Sequence, residues 1–184
     1  MRIKVLDRAE MTEAQGRVYD KAKAAGGIVG GPYQAYIRLP HLFEVMQAMR
    51  DAMMPDPLSR RERNYIDLAV ARHWNARYPW FIQSREGLKV GITADAIVAI
   101  NARETPDIAD PRERACYAAA VELLTTQRLS DAGYKAAEAV LGEAGIVGVV
   151  AAVGNFTTTC LTASAFDLQP PADAPMPLLE EETK

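Results

Sequence analysis

Cysteine, histidine and tryptophan are scarce here, with two of each among 184 residues. Cys116 and Cys160 lie far apart among apolar or small neighbours, which argues against a disulfide framework or a thiolate metal site and points to a reducing compartment. The N-terminal residues carry charge where a signal peptide would be apolar. The most apolar tract, Gly145 to Gly154, is shorter than the ~20 residues that span a bilayer. Positive charge is not in excess either: the net charge is −3, so there is no electrostatic footprint for nucleic acid. No run alternates polar and apolar residues long enough to argue for a sheet. These absences leave a cytoplasmic protein expected to engage no nucleic acid, no membrane and no metal.

What is present fits one all-α domain over residues 1–169, followed by a Pro-rich, acidic tail over 170–184. Hydrophobic residues make up 49% and charged residues 24%, which are globular values. The basic clusters at Arg60 to Arg63 and Arg72 to Arg77 read as solvated or ion-paired helix faces. Thr12 with Gln15 is a capping box for a helix reaching about Ala25. Gly26 to Pro32 can only be a loop. A second helix starts near Pro40, with Leu42, Val45, Met46 and Met49 at helical spacing, and ends around Met53, Met54 and Pro55.

Ser59 with Glu62 opens a helix through Arg72, and Asp110, Pro111 and Glu113 open another that ends near Thr126. Ser130 caps a helix that stops around Gly142. A last one runs from about Gly145 to Ala165, and its small residues suit close packing, as at a subunit contact. Between these, Asn75 marks a stop, Pro79 suits a first turn, and the new helix closes at Gly91 with Ile92 behind it. Thr93 starts a further short helix. The turn at residues 74–79 thus lies at a helix start, where free N–H groups favour anions.

Leu58, Arg61, Arg63, Val70 to Trp74, Tyr78, Trp80 and Leu88 to Ile92 together resemble the carboxymuconolactone decarboxylase-like family, which includes the AhpD-type alkylhydroperoxidases. Gly30 to Tyr33 and Gly142 to Gly145 add to the resemblance, which covers roughly residues 30–168. It implies an AhpD-like helical bundle of about seven or eight helices around a helix-turn-helix. It also implies a homo-oligomer, a trimer or hexamer. Peroxidase members use a glutamate, two cysteines three residues apart and a histidine four residues beyond the second. Carried onto this chain, those positions are Asn64, Ala76, Pro79 and Gln83. Alanine and proline cannot do thiol chemistry, and glutamine cannot abstract a proton.

The resemblance and the residues present imply a cofactor-free enzyme acting on a small carboxylate or lactone by decarboxylation, isomerisation or hydrolysis. Gln83 and Asn64 would polarise an oxygen, while His41 or Tyr33 would handle a proton. Arg72 and Arg77 would grip a carboxylate, with Arg38 and Arg85 as further candidates. Tyr78, Trp80 and Tyr36 would form the pocket walls. His73 reads as structural, Asp67 as an ion-pair partner, and Thr157 to Thr159 as residues bonding back to helix carbonyls. Two rivals stand beside this reading. One is a non-catalytic protein that binds a small anion or serves assembly. The other is a residual peroxidase working through Cys116 or Cys160.

Overall fold

Serine, threonine and aspartate caps set most of the helix starts. The computed structural model describes residues 1–53 and 55–179. Thr12 Oγ1 accepts the Gln15 N–H at 3.3 Å and Gln15 Oε1 accepts the Thr12 N–H at 3.0 Å, opening α1 (Glu13–Ala24). After the glycine loop comes a one-turn helix, α2 (Tyr33–Tyr36), and then α3 (Pro40–Asp51). A reciprocal box between Ser59 and Glu62 opens α4 (Arg60–His73), and α5 (Arg77–Lys89) follows. Side chains of Thr93, Asp110 and Ser130 cap α6 (Ala94–Asn101), α7 (Pro111–Thr126) and α8 (Asp131–Ala165). Each cap satisfies a donor that the first helical turn leaves open, worth about 1 kcal/mol. Among the described residues there is no strand, and the all-α expectation holds.

Several boundaries fall where the residues predict them. Asn75 takes a left-handed φ of 47° after α4, and Gly91 closes α5 with a φ of 87°. Gly142, with φ 69° and ψ 174°, breaks α8 between its two expected halves. The expected stop at Met54 and the acidic run after Leu179 lie outside the described residues. Two readings need correction. The short helix α2 was not expected, since four residues hold too little pattern to reveal a period. In α3, Phe43 and Met46 face the core, whereas Leu42, Val45 and Met49 are exposed.

The core is built around α4, which packs against α5, α6, α7 and α8. Ile66, Leu68 and Val70 are fully shielded there, along with Trp80 from α5 and Ile97 and Ile100 from α6. Burying each such aliphatic side chain stabilises the fold by roughly 1.5–3 kcal/mol. A second cluster joins α1, α2 and α3 through Val18, Tyr33, Tyr36, Ile37 and Phe43. By length and composition α8 could cross a membrane. Here, however, its Ile146, Val149 and Ala152 are buried in the same core as α4. At Gly148 the helix packs closely within this chain: a Cβ there would lie 2.7 Å from Pro57 Cγ.

The Pro-rich segment runs as an extended arm against α5 and α6. Trp80 Nε1 donates to the Met176 carbonyl at 2.9 Å. The Asn101 side chain donates to Pro177 O at 2.9 Å and accepts from Leu179 N at 3.0 Å.

Within α4, Arg63 and Asp67 form a buried ion pair, Nε to Oδ1 at 2.9 Å, as expected for Asp67. Burial lifts the Asp67 carboxyl from the usual 3.8 to about 6, against the opposing pull of Arg63. An acid with a raised folded-state pKa contributes stability that is full below about 3.8 and lost as pH rises through about 6. At pH 7 the carboxylate is then held by Arg63, so Asp67→Ala strands a buried guanidinium. Urea unfolding at pH 7 is expected to show a loss of about 3–5 kcal/mol, and carboxyl NMR a midpoint near 6. A loss under ~1 kcal/mol, the size of an exposed pair, would contradict this.

Candidate functional site

Three elements meet over Gln83. The glycine loop with α2, the first turns of α5 and the C-terminal third of α8 enclose a cleft of about 190 Å³. Its wall includes Ile28, Tyr33, Tyr78, Pro79, Gln83 and Phe156, with Thr159 at the α8 side. The loop can approach because Gly31 sits at φ 57° with its bare α-carbon against Tyr78; a Cβ there would lie 2.7 Å from the ring. Pro79, in the first turn of α5, turns its ring to the same space.

The polar feature of this cleft is fixed from behind. Asn64 Nδ2 donates to the Gln83 backbone carbonyl at 3.2 Å and to Gln83 Oε1 at 2.6 Å. A backbone carbonyl can only accept, so it dictates which end of the Asn64 amide faces α5. That end in turn requires the oxygen of Gln83 on its side. The Nε2 group of Gln83 is therefore the end left for the cleft, as an oriented donor. Gly87 makes the approach possible, since a Cβ there would lie 2.6 Å from Asn64 Oδ1. That Oδ1 is buried and accepts no hydrogen bond among the described residues.

The remaining candidates divide sharply. Of the four positions carried over by resemblance, Pro79 and Gln83 line the cleft, Asn64 stands one hydrogen bond behind it, and Ala76 is buried in the core. Tyr33 and Tyr78 line it as well. His41 does not: it is exposed at the start of α3. Tyr36 is committed to α8, its hydroxyl donating to Thr162 Oγ1 at 3.2 Å. Trp80, expected as a pocket wall, is fully buried and bonded to the C-terminal arm.

None of the four candidate arginines lines the cleft, which is the main correction to the expected carboxylate grip. Arg72 donates to the Asn101 carbonyl at 2.6 Å and to the side chain of Asn75, joining the ends of α4 and α6. Arg77 faces the C-terminal arm. Arg38 donates to the carbonyls of Gln34 and Lys4. Arg85 lies over the Phe81 ring at 5.2 Å. Tight neighbouring backbones recruit a long cation to structure as readily as to a ligand, and sequence alone cannot separate the two. Ile28, Phe156 and Thr159 were not foreseen as lining, because their positions depend on how the loop and α8 cross α5. Thr159 does bond back to the Asn155 carbonyl at 3.3 Å, as expected of it.

Electrostatically the cleft is quiet. Burial raises the Tyr33 hydroxyl to about 12, and that hydroxyl already donates to the Met46 carbonyl at 3.2 Å. Burial raises Tyr78 as well. Both therefore stay protonated at neutral pH. The cysteines are elsewhere: Cys116 and Cys160 are free and fully buried, and burial drives both thiols upward, Cys116 to about 12. The described residues contain no cluster of acids, histidines and cysteines that could hold a metal ion.

The fold has relatives. The sequence model of the carboxymuconolactone decarboxylase family matches residues 40–122. An uncharacterized peroxidase-related protein from Silicibacter sp. TM1040 superposes with a TM-score of 0.74 at 18% identity, covering 95% of this chain and 92% of that one. The alkylhydroperoxidase AhpD core of an uncharacterized peroxidase-related protein from Ralstonia eutropha JMP134 gives 0.73 at 18% identity, covering 94% and 93%. A protein of unknown function from Agrobacterium tumefaciens, linked by its description to the antioxidant defence protein AhpD, gives 0.67 at 18% identity, covering 78% and 100%. No curated protein matches the chain significantly. The fold is the AhpD-like all-α bundle.

Gly87→Ala should push Asn64 away from Gln83 and destabilise the protein by about 1–3 kcal/mol, the usual cost of overpacking. Thermal unfolding reads the loss, and an unchanged midpoint would show that the two amides are not held against this glycine. For the thiols, mass spectrometry after native treatment with iodoacetamide or hydrogen peroxide should find Cys116 and Cys160 unmodified, with both alkylated after unfolding. Rapid modification of either in the native protein would restore the peroxidase reading.

Proposed function

We propose, for a chain whose residues 40–122 match the carboxymuconolactone decarboxylase family, that the Gln83 cleft binds a small, largely apolar molecule by its carbonyl oxygen and polarises that carbonyl. A lactone fits this description better than a free carboxylate. The observation that carries the reading is the amide relay, in which the Gln83 backbone carbonyl orients Asn64 and Asn64 orients the Gln83 side chain. A donor held this way is set before the ligand arrives, and that is the condition under which a hydrogen bond favours developing negative charge on oxygen. Tyr78, protonated at neutral pH, is a second group able to donate into the same space. Ile28, Ile82 and Phe156 suit a ring or short chain.

Of the reactions expected from the family, hydrolysis or isomerisation of a lactone keeps support. Decarboxylation of a dianionic substrate has less, because no arginine or lysine is among the cleft's described lining residues. Binding without turnover is the second reading. It is favoured by the lack, among the described lining residues, of a group that exchanges protons near neutral pH. Self-association belongs to the same proposal, with Leu42, Val45 and Met49 of α3 as exposed apolar surface available for it.

A panel of unsaturated lactones and the matching open-chain dicarboxylates separates these readings, with binding followed by thermal shift and turnover by ultraviolet absorbance. Lactones are expected to bind and dicarboxylates not. Gln83→Ala should weaken lactone binding about tenfold, equivalent to about 1.4 kcal/mol. Lactone consumption supports the enzyme reading, and binding without consumption supports the second. Preference for the dicarboxylates, or full affinity in the Gln83→Ala protein, would overturn both.

A further inference from the structure

The most apolar stretch of the chain is not its best buried. From Ala144 to Phe166 no residue carries a charge. An 18-residue stretch of α8 is apolar enough to cross a membrane, yet only 39% of it is buried in this chain. A helix apolar on every side is ordinarily enclosed on every side. The inner face of α8 follows that rule, with Ile146, Val149, Ala152 and Phe156 in the core. The outer face does not. Val147 is 67% exposed, Val150 49% and Leu161 47%, and Gly154 and Thr158 are exposed between them. With Ala144 and Ser164 at its ends, also exposed, this stripe runs for about 30 Å.

Gly154, at the centre of the stripe, has no reason within one chain. Glycine weakens a helix interior relative to alanine. At Gly148 a Cβ would crowd Pro57, whereas at Gly154 it would meet nothing within 4 Å among the described residues. Nor does Gly154 take a positive φ. A second helix crossing at this point accounts for it, since a missing side chain lets two backbones approach.

The stripe is also its own complement. About a two-fold axis at Gly154, an antiparallel copy sets Val147 against Leu161 and Val150 against Thr158. Each contact is then made twice, as a two-fold interface requires. A membrane is the rival cover, and the chemistry is against it. No lysine or arginine follows Lys135 in α8, where a helix lying on a membrane carries several. Spanning would strip Ile146, Val149 and Ala152 from the core. Trp74 is exposed beside the stripe and donates its Nε1 to Thr157 at 3.2 Å, adding ring surface. The area on offer comes within about a factor of two of the ~800 Å² per partner that stable interfaces bury, which makes the contact a reversible one.

We propose that two copies of this chain associate through α8, packed antiparallel about a two-fold axis at Gly154. The inference rests on the self-association proposed above and names its surface. The α3 face is a separate patch, so the two can fail separately.

Sedimentation equilibrium of the full chain is expected to show association that grows with concentration. Gly154→Leu puts bulk at the axis where the single chain has room for it. It should weaken association at least tenfold without lowering the unfolding temperature of the monomer, while Val45→Lys, on α3, leaves association unchanged. Orientation is read by trapping with copper phenanthroline. The Val147→Cys and Leu161→Cys proteins should cross-link when mixed, and neither should cross-link alone; the two native cysteines are buried. A chain that stays monomeric at every concentration would overturn self-association altogether. Association that survives Gly154→Leu but is lost in Val45→Lys would overturn the α8 contact and keep the α3 one. Cross-linking of the Val147→Cys protein with itself would overturn the antiparallel pairing. Monomeric protein that sediments with phosphatidylcholine–phosphatidylserine vesicles would give this face to a membrane instead.

Discussion

A helix enclosed on every side cannot leave its polar side chains to water. In α4 every residue from Glu62 to Arg72 is buried, and five of those eleven, Glu62, Arg63, Asn64, Asp67 and Arg72, are polar or charged. Each has to find a partner, since an orphaned buried group costs about 1–3 kcal/mol. Glu62 accepts from Arg112 of α7 at 2.7 Å, Asn64 engages Gln83 of α5, and Arg72 engages the end of α6. Arg63 and Asp67 satisfy each other within the helix. The apolar residues of α4 would accept many neighbours at similar energy. The polar ones accept few, and so they specify which helix lies on which side.

The division between what the residues reveal and what they conceal follows the range of the interactions. Thr12 with Gln15, Ser59 with Glu62, and Asp110 with Pro111 speak within one turn, so the helix starts are legible. Gly91 and Gly142 mark breaks for the same local reason. The facing of α3 is a different matter. Its apolar residues are spread around the helix, and only contact with α1 and α2 decides that Phe43 and Met46 turn inward while Leu42, Val45 and Met49 turn out. The described part of the Pro-rich segment lies against Trp80 and Asn101, but these anchors are more than seventy residues away in sequence. No local pattern encodes such a pairing.

The candidate site was legible to a similar degree. Gln83, Asn64, Tyr33, Tyr78 and Pro79 come together as two shells around one cleft, because they belong to α2, α4 and α5, whose helical phases bring them to one face. The arginines were harder. A guanidinium has five donors and a long stem, so it reaches backbone carbonyls at helix ends, as Arg38 and Arg72 do. Residue type then says little about ligand contact. His41 shows the converse: a chemically able group, placed by its helix at the surface. With no cation among its described lining residues and its tyrosines held protonated, the cleft presents uncharged groups.

The geometry of α4 also bears on whether its two ends can influence one another. Asn64 and Arg72 are eight residues apart, roughly 12 Å along a helix axis. Between them lie Ile66, Leu68 and Val70, all fully buried. A close-packed interior does not deform smoothly, so a displacement at Arg72 cannot pull Asn64 off Gln83 by stretching the helix between. Communication would need α4 to shift as a rigid body, and that would break its bonds to α5, α6 and α7 together. The packing that orients the amide relay therefore insulates it from changes at the far end of α4.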